Sequence, residues 1–294
     1  MTHILTNKAL EVHIDNPMEN YNFSRFDWTG KITTLKFQNH LLSTIERPDD
    51  QNEHHFGKGF YNEFGMDTAL GFEDAGPGGW FHKIGIGLLK KEGTKYLFHK
   101  NYKIKPAEFH VIPTSNSLTI HCTSQSLHGY AYVLKKEIQL HESGFSIQYD
   151  LQNTGEKDII TEEYNHNFTA INEDPIGAHY LLKFPFELKP ELFDAVVNPE
   201  SKVDLGHDQI QWNSVPGEPF FFSNLSGGKN VNAAWELAHL KSKIGISETG
   251  SFQTDKVNLW GWKHVISPEL FFKIHITPGQ SGKWSRNYTI FTTP

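Results

Sequence analysis

The sequence is poor in sulfur, in guanidinium and in long apolar runs. One cysteine, Cys122, stands among 294 residues, so no disulfide can close within the chain. The bridged frameworks of small secreted domains are thereby excluded, as is a thiolate-metal cluster. Three arginines are present, Arg25, Arg47 and Arg286, which weighs against a site built on bidentate recognition of phosphate or carboxylate. No apolar stretch approaches the ~20 residues of a membrane helix, and the opening MTHILTNKALEVHIDNP lacks a cationic segment followed by an apolar one. The expectation is a soluble, unprocessed, cytoplasmic protein with no membrane partner, in which the sequons at Asn22, Asn167, Asn224 and Asn287 arise by chance. Positive charge is short too. Lys and Arg number 27 against 34 Asp and Glu, a formal charge of -7, which argues against a nucleic-acid partner.

Helical signal is scarce. Residues 233–241 (AAWELAHLK) are the one stretch of good helix formers, and they predict a single short helix. Without alternating strands and helices, a doubly wound or TIM-type fold is excluded. What the chain has instead is aromatics, 22 Phe, 10 Tyr and 7 Trp, and short alternating runs punctuated by Gly, Asn, Asp and Pro. Clear examples are 31–37 (KITTLKF), 118–123 (LTIHCT), 130–140 (YAYVLKKEIQL), 144–151 (GFSIQYDL), 219–223 (PFFFS), 243–247 (KIGIS) and 270–276 (LFFKIHI). His141-Glu-Ser-Gly144 has the length of a hairpin turn between two of them. The pattern predicts an all-β antiparallel sandwich. No repeat or linker divides residues 1–294, which read as one domain, and 47–79 and 190–217 read as long loops.

Several familiar motifs fail. Gly85-Ile-Gly87 lacks the third glycine and helix of a dinucleotide loop, and Ser226-Gly-Gly-Lys229 lacks phosphate-loop spacing. The pair His54-His55 points to opposite faces if extended, and no metal-ligand spacing accompanies it, so no metal is expected. No Gly-x-Ser-x-Gly elbow offers a nucleophile.

Two constellations survive. The first is Asn165-His166-Asn167 at the end of an alternating run, bracketed by Tyr164 and Phe168. A lone histidine in a sandwich is more often a satisfied core residue, but an imidazole flanked by amides also suits proton transfer to a polyhydroxylated ligand. The second is Glu269, a single carboxylate between apolar flanks that follows Trp260 and Trp262. Their indole faces could stack on a sugar ring, and the same glutamate reads equally as an exposed residue after Pro268.

These residues carry a resemblance. Residues 153–172 (NTGEKDIITEEYNHNFTAIN) resemble the aldose 1-epimerase, or galactose mutarotase, pattern in which an Asn-Thr-Gly turn leads a strand into a motif with the catalytic histidine. Residues 267–291 are similar to the family's close: a catalytic Glu before a strand, a turn at Pro278-Gly279-Gln280, and a final strand at 288–291. Residues 27–37, with Gly30, are similar to the family's first sheet segment. The family's arginine segments have no clean match, and Lys58, His82 and Lys83 occupy the nearest region. Its Leu-His-Gly-Gly is missing, which leaves His55 or His82 as the substitute, and Asp204 and Asp208 lie nearest to its substrate-binding aspartate.

The resemblance implies a β-supersandwich of mostly antiparallel strands and an isomerase that interconverts the α and β anomers of a small-molecule sugar without a cofactor. Glu269 would be the base and His166 the acid, exchanging roles on ring closure. Asn165, Asn167 and Glu162 would orient the histidine or bind hydroxyls, and Lys83 and His82, with His55, Trp260 and Trp262, would line the substrate site. A carbohydrate-binding module without chemistry, a phosphosugar epimerase, and a lyase or hydrolase on the same scaffold are the alternatives. Either a monomer or a homodimer is compatible with the pattern.

Overall fold

The structure, a computed structural model, describes residues 2–48 and 55–293. His54 lies outside the described residues. Period-two burial builds the sheets: strand Ser281–Thr292 turns Trp284, Arg286, Tyr288 and Ile290 inward and leaves the residues between them wetter. It pairs with Gly144–Asn153 on one side and Ile244–Thr254 on the other, at the centre of a ten-stranded sheet. A second sheet of seven strands runs in the order His3–Thr6, Leu10–Asp15, Lys31–Phe37, Phe60–Phe64, Ile159–Asn167 and Phe272–Ile276, with His40–Leu41 on the side of Lys31–Phe37. The pairings are antiparallel.

Side chains from both large sheets, among them Ile32, Phe60 and Phe64 from one and Ile138, Phe145 and Ile147 from the other, form one apolar core. A second cluster, built from Tyr21, Phe26, Tyr61, Phe81 and Phe168, is largely aromatic. Two smaller sheets complete the fold. One holds Ala195–Val197, Phe220–Ser223, Val257–Trp262 and Val265–Leu270, and the other Trp80–Lys83, Gly87–Lys90 and Ile104–Pro106.

The turn at 141–144 forms as expected, with His141 opposite Gly144. Glycine is required there, because a Cβ on residue 144 would meet the carbonyl oxygen of Tyr288 at 1.9 Å. The helix expected at 233–241 does not form. Strand Val231–His239 takes its place, with Ala233, Trp235 and Leu237 buried in period two and both edges paired. Helix propensity over one short segment is worth less than a full set of ladder bonds and inward packing. The two long loops are likewise broken by structure, the first by Phe60–Phe64 and the second by Ala195–Val197, Val203–Leu205 and Gln209–Trp212.

Two strands are buried on both faces yet carry charge: Phe60–Phe64 with Glu63 and Val265–Leu270 with Glu269. Apolar strands would be the ordinary occupants of such positions, so each carboxylate needs partners. Pro268, beside Glu269, is tolerated because Val265–Leu270 is an edge strand of its sheet.

Candidate active site

Antiparallel pairing of Phe60–Phe64 with Ile159–Asn167 sets Glu63 opposite Tyr164 and Tyr61 opposite His166. Alternation sends Tyr164 and His166 to one face of the strand and Glu163, Asn165 and Asn167 to the other. On the first face His166 sits between two carboxylates. Its Nδ1 lies 2.9 Å from Glu269 Oε1, and its Nε2 lies 3.5 Å from Glu63 Oε2. The Glu269 contact is an ion pair without an aligned hydrogen bond.

Tyr164 links the other side. Its hydroxyl donates to Glu63 Oε2 at 2.7 Å and stands 2.6 Å from His166 Nε2. A hydroxyl has one hydrogen, so a phenol that donates to Glu63 accepts from an Nε2–H. Arg25 reaches the same nitrogen at 3.0 Å while pairing with Glu46 and Glu63 at 3.1 Å each. Lys83 closes the group behind Glu63, at 3.4 Å from its Oε1, and also donates to Gly65 O and Tyr96 Oη.

Arg25, Lys83 and a protonated His166 balance Glu46, Glu63 and Glu269, so this cluster is neutral with the imidazolium and carries one negative charge without it. Burial opposes a charged ring, but Glu269, and then Glu63, outweigh burial and Arg25 and hold His166 above the ordinary histidine value of 6.5. For Glu63, burial opposes ionisation, yet Lys83 and Arg25, with His166, bring its carboxyl down to about 2. A stable carboxylate beneath a readily charged imidazole, with a second carboxylate on the other nitrogen, is an arrangement chemically able to move protons.

Aromatic rings frame the pair. Phe168 stacks on His166 at 5.1 Å and Phe26 meets it edge-on at 5.3 Å. Gly57 lets the chain cross Phe168, since a Cβ there would fall 2.1 Å from the ring. Trp260 packs on Phe168 at 6.2 Å, whereas Trp262 donates to Gly217 O and lies beside His264. The cluster's side chains are all but closed to solvent except Arg25, 20% exposed, and Glu46, 11%, so access is from their side.

The structure thus brings His166 and Glu269 together, with Trp260 one ring away. Lys83 reaches the cluster only through Glu63, and its ammonium is spent on protein partners. His82, on the opposite face of its strand, is buried against Tyr130 and Tyr132, and burial takes its pKa down to about 4. His55 is exposed on Phe23, its ring 3.8 Å from that phenyl. Glu162 accepts from the backbone of Asp67 at 2.7 Å, farther along its strand, and makes no bond to His166. Asp204 is exposed at the edge of the large sheet and accepts from Asn213, and Asp208 is exposed nearby.

Asn165 and Asn167 face the ten-stranded sheet, not the imidazole. Asn165 donates to Tyr288 Oη at 2.7 Å, and Asn167 donates to Pro268 O at 2.6 Å and to Glu248. Asn167 therefore fastens the strand of Glu269 to the strand of His166. Arg25, Glu46 and Glu63 were missed by sequence reasoning. Their signals were weak: a lone arginine within YNFSRFDW, which reaches the histidine from outside any strand, and an acid within FYNEF, which meets it through sheet pairing.

No protein-family model matches the sequence, and no curated protein matches it by sequence. Solved structures do match by shape. A galactose mutarotase related enzyme from Lactobacillus acidophilus shares 11% identity and a TM-score of 0.60 over 100% of this chain and 98% of that one. A galactose mutarotase-like protein from Clostridium acetobutylicum shares 11% and 0.60 over 99% and 95%. An aldose epimerase homologue from C. elegans shares 12% and 0.54 over the whole of both chains. The chain has the galactose mutarotase-like β-sandwich fold expected from its sequence.

Proposed function

We propose that this protein is an aldose 1-epimerase-like isomerase that interconverts the anomers of a sugar by acid and base catalysis at Glu269 and His166. The observation that carries the reading is the buried contact between His166 Nδ1 and Glu269 Oε1 at 2.9 Å, set in an aromatic frame on this fold. Glu269 favours a protonated imidazole at His166, the ready form of an acid, and is itself placed to act as the base. In the reaction Glu269 takes the proton of the C1 hydroxyl while His166 gives one to the ring oxygen, and the C1–ring oxygen bond breaks to leave the open-chain aldehyde. Rotation about C1–C2 followed by the reverse transfers closes the other anomer. Tyr164 and Glu63 act through His166 by keeping its second nitrogen a donor, and Arg25, at the open side, faces the entering hydroxyls.

Each positioned acid or base contributes on the order of 10²–10⁴ in rate. Hydrolysis of a glycosidic bond is the weaker reading, because the second carboxylate nearest His166, Glu63, is fully buried and bonded to Arg25 and Lys83. Saturation-transfer proton NMR between the anomers of glucose, galactose and a panel of rarer aldoses tests the proposal. Accelerated exchange of at least one sugar is expected, and exchange at the uncatalysed rate across the panel would overturn it.

A further inference from the structure

A cleft of about 400 Å³ lies next to this site, within the size range of ligand pockets. Tyr61 lines it from the strand of Glu63 and is the cross-strand partner of His166, and Ile45 lines it immediately before Glu46. The Tyr61 ring is one phenyl away from His166: it packs on Phe26 at 5.5 Å, and Phe26 on the imidazole at 5.3 Å. The cleft therefore adjoins the side from which the cluster is reached, and nothing in the mechanism above uses it.

Its chemistry is that of a polyol site. Asp15 offers carboxylate oxygens held in place by Thr2 at 2.9 Å and Asn20 at 2.8 Å, and Thr34 adds a hydroxyl. Phe56 and Tyr21 provide flat apolar faces. The Tyr61 hydroxyl and the exposed Lys58 ammonium make no bond to the described residues, so both are open to a ligand in the cleft. A cleft-lining hydroxyl with no protein partner is free to bond a ligand. The charges of Lys58 and Asp15 offset one another, which suits a neutral ligand. A cleft of similar volume on the ten-stranded sheet has its charges matched already, Lys283 with Asp150 at 3.1 Å.

We infer that this cleft is a second carbohydrate subsite, which holds the next unit of a neutral reducing oligosaccharide whose terminal ring occupies the His166 site. The inference rests on the sugar reading of that site but not on catalysis there. Isothermal titration calorimetry of the Glu269→Gln chain with glucose, galactose, maltose, cellobiose, lactose and melibiose tests it without turnover. At least one disaccharide is expected to bind roughly tenfold or more tightly than its reducing-end monosaccharide. Tyr61→Phe, a change that preserves the ring, should remove most of that gain, and Thr34→Trp, which fills the cleft, should remove all of it, with monosaccharide affinity unchanged in both. Equal affinity for mono- and disaccharides across the panel, or a gain that survives Thr34→Trp in a folded chain, would overturn the subsite. A chain that binds disaccharide through the cleft but accelerates no anomer exchange would leave the subsite standing and remove the isomerase reading.

Discussion

His166 holds its proton because of groups that the sequence scatters. Glu269 lies 103 positions downstream and Glu63 103 upstream; strand pairing brings Glu63 to it, and Glu269 arrives from the edge strand of another sheet. The histidine and the glutamate were legible because each stands in a short pattern of its own. Arg25 was not, because nothing in local spacing announces a side chain that arrives from a separate segment. Lys83 was legible as a cation but not as a buried one. Tyr164→Phe deletes the hydroxyl that accepts from His166 Nε2, so the histidine's titration midpoint, followed by imidazole ¹⁵N NMR, is expected to fall toward the ordinary value. A midpoint that stays in place would mean Tyr164 has no part in holding the charge. Lys83→Met leaves Glu63 buried with one cation fewer, at an expected cost of about 3 kcal/mol in urea-unfolding free energy.

Strands were read well where they alternate and poorly where they do not. The run 31–37 and the hairpin at 141–144 are in the structure as expected, since one buried face writes itself into the sequence as period two. Phe60–Phe64 and Val265–Leu270 escaped because both of their faces are covered, which erases the alternation, and Val231–His239 was misread because Ala, Glu and Leu also suit a helix. The two fully buried strands hold the site, so the element that mattered most carried the weakest signal. Their junction is Asn167. Asn167→Ala would leave the Pro268 carbonyl unpaired and free the Glu269 strand, at an expected cost of about 1–3 kcal/mol in stability. A loss of kcat larger than any change in KM should accompany it, measured by anomer-exchange kinetics over a range of sugar concentration.

Across the whole molecule the charges of the site are coupled to folding. Glu63 falls from an ordinary 4.5 to about 2 in the folded chain, so its share of stability is complete above about 4.5 and is lost as pH falls toward 2. That share is about 3 kcal/mol at neutral pH. His166 works in the other direction: raised above 6.5, it contributes fully below that value and its share is lost as pH rises through the folded midpoint. The difference in unfolding free energy between the native chain and Glu63→Gln, followed against pH, should therefore shrink on acidification below 4.5. Catalysis should persist above the usual histidine range and fail on the alkaline side, when His166 gives up its proton.

The fold was legible as a whole because an all-β sandwich needs only alternation and turns, while the site needed the pairing of distant strands. The most direct test of the acid and base pair is the rate of anomer exchange, measured by saturation-transfer NMR, for the native chain, Glu269→Gln, His166→Asn and the double variant. The expected result is a fall of roughly 10²–10⁴ in each single variant, with little further loss in the double variant because the two groups act as a unit. Retention of most of the native rate in either single variant would contradict the assignment of Glu269 and His166 as the groups that move the proton.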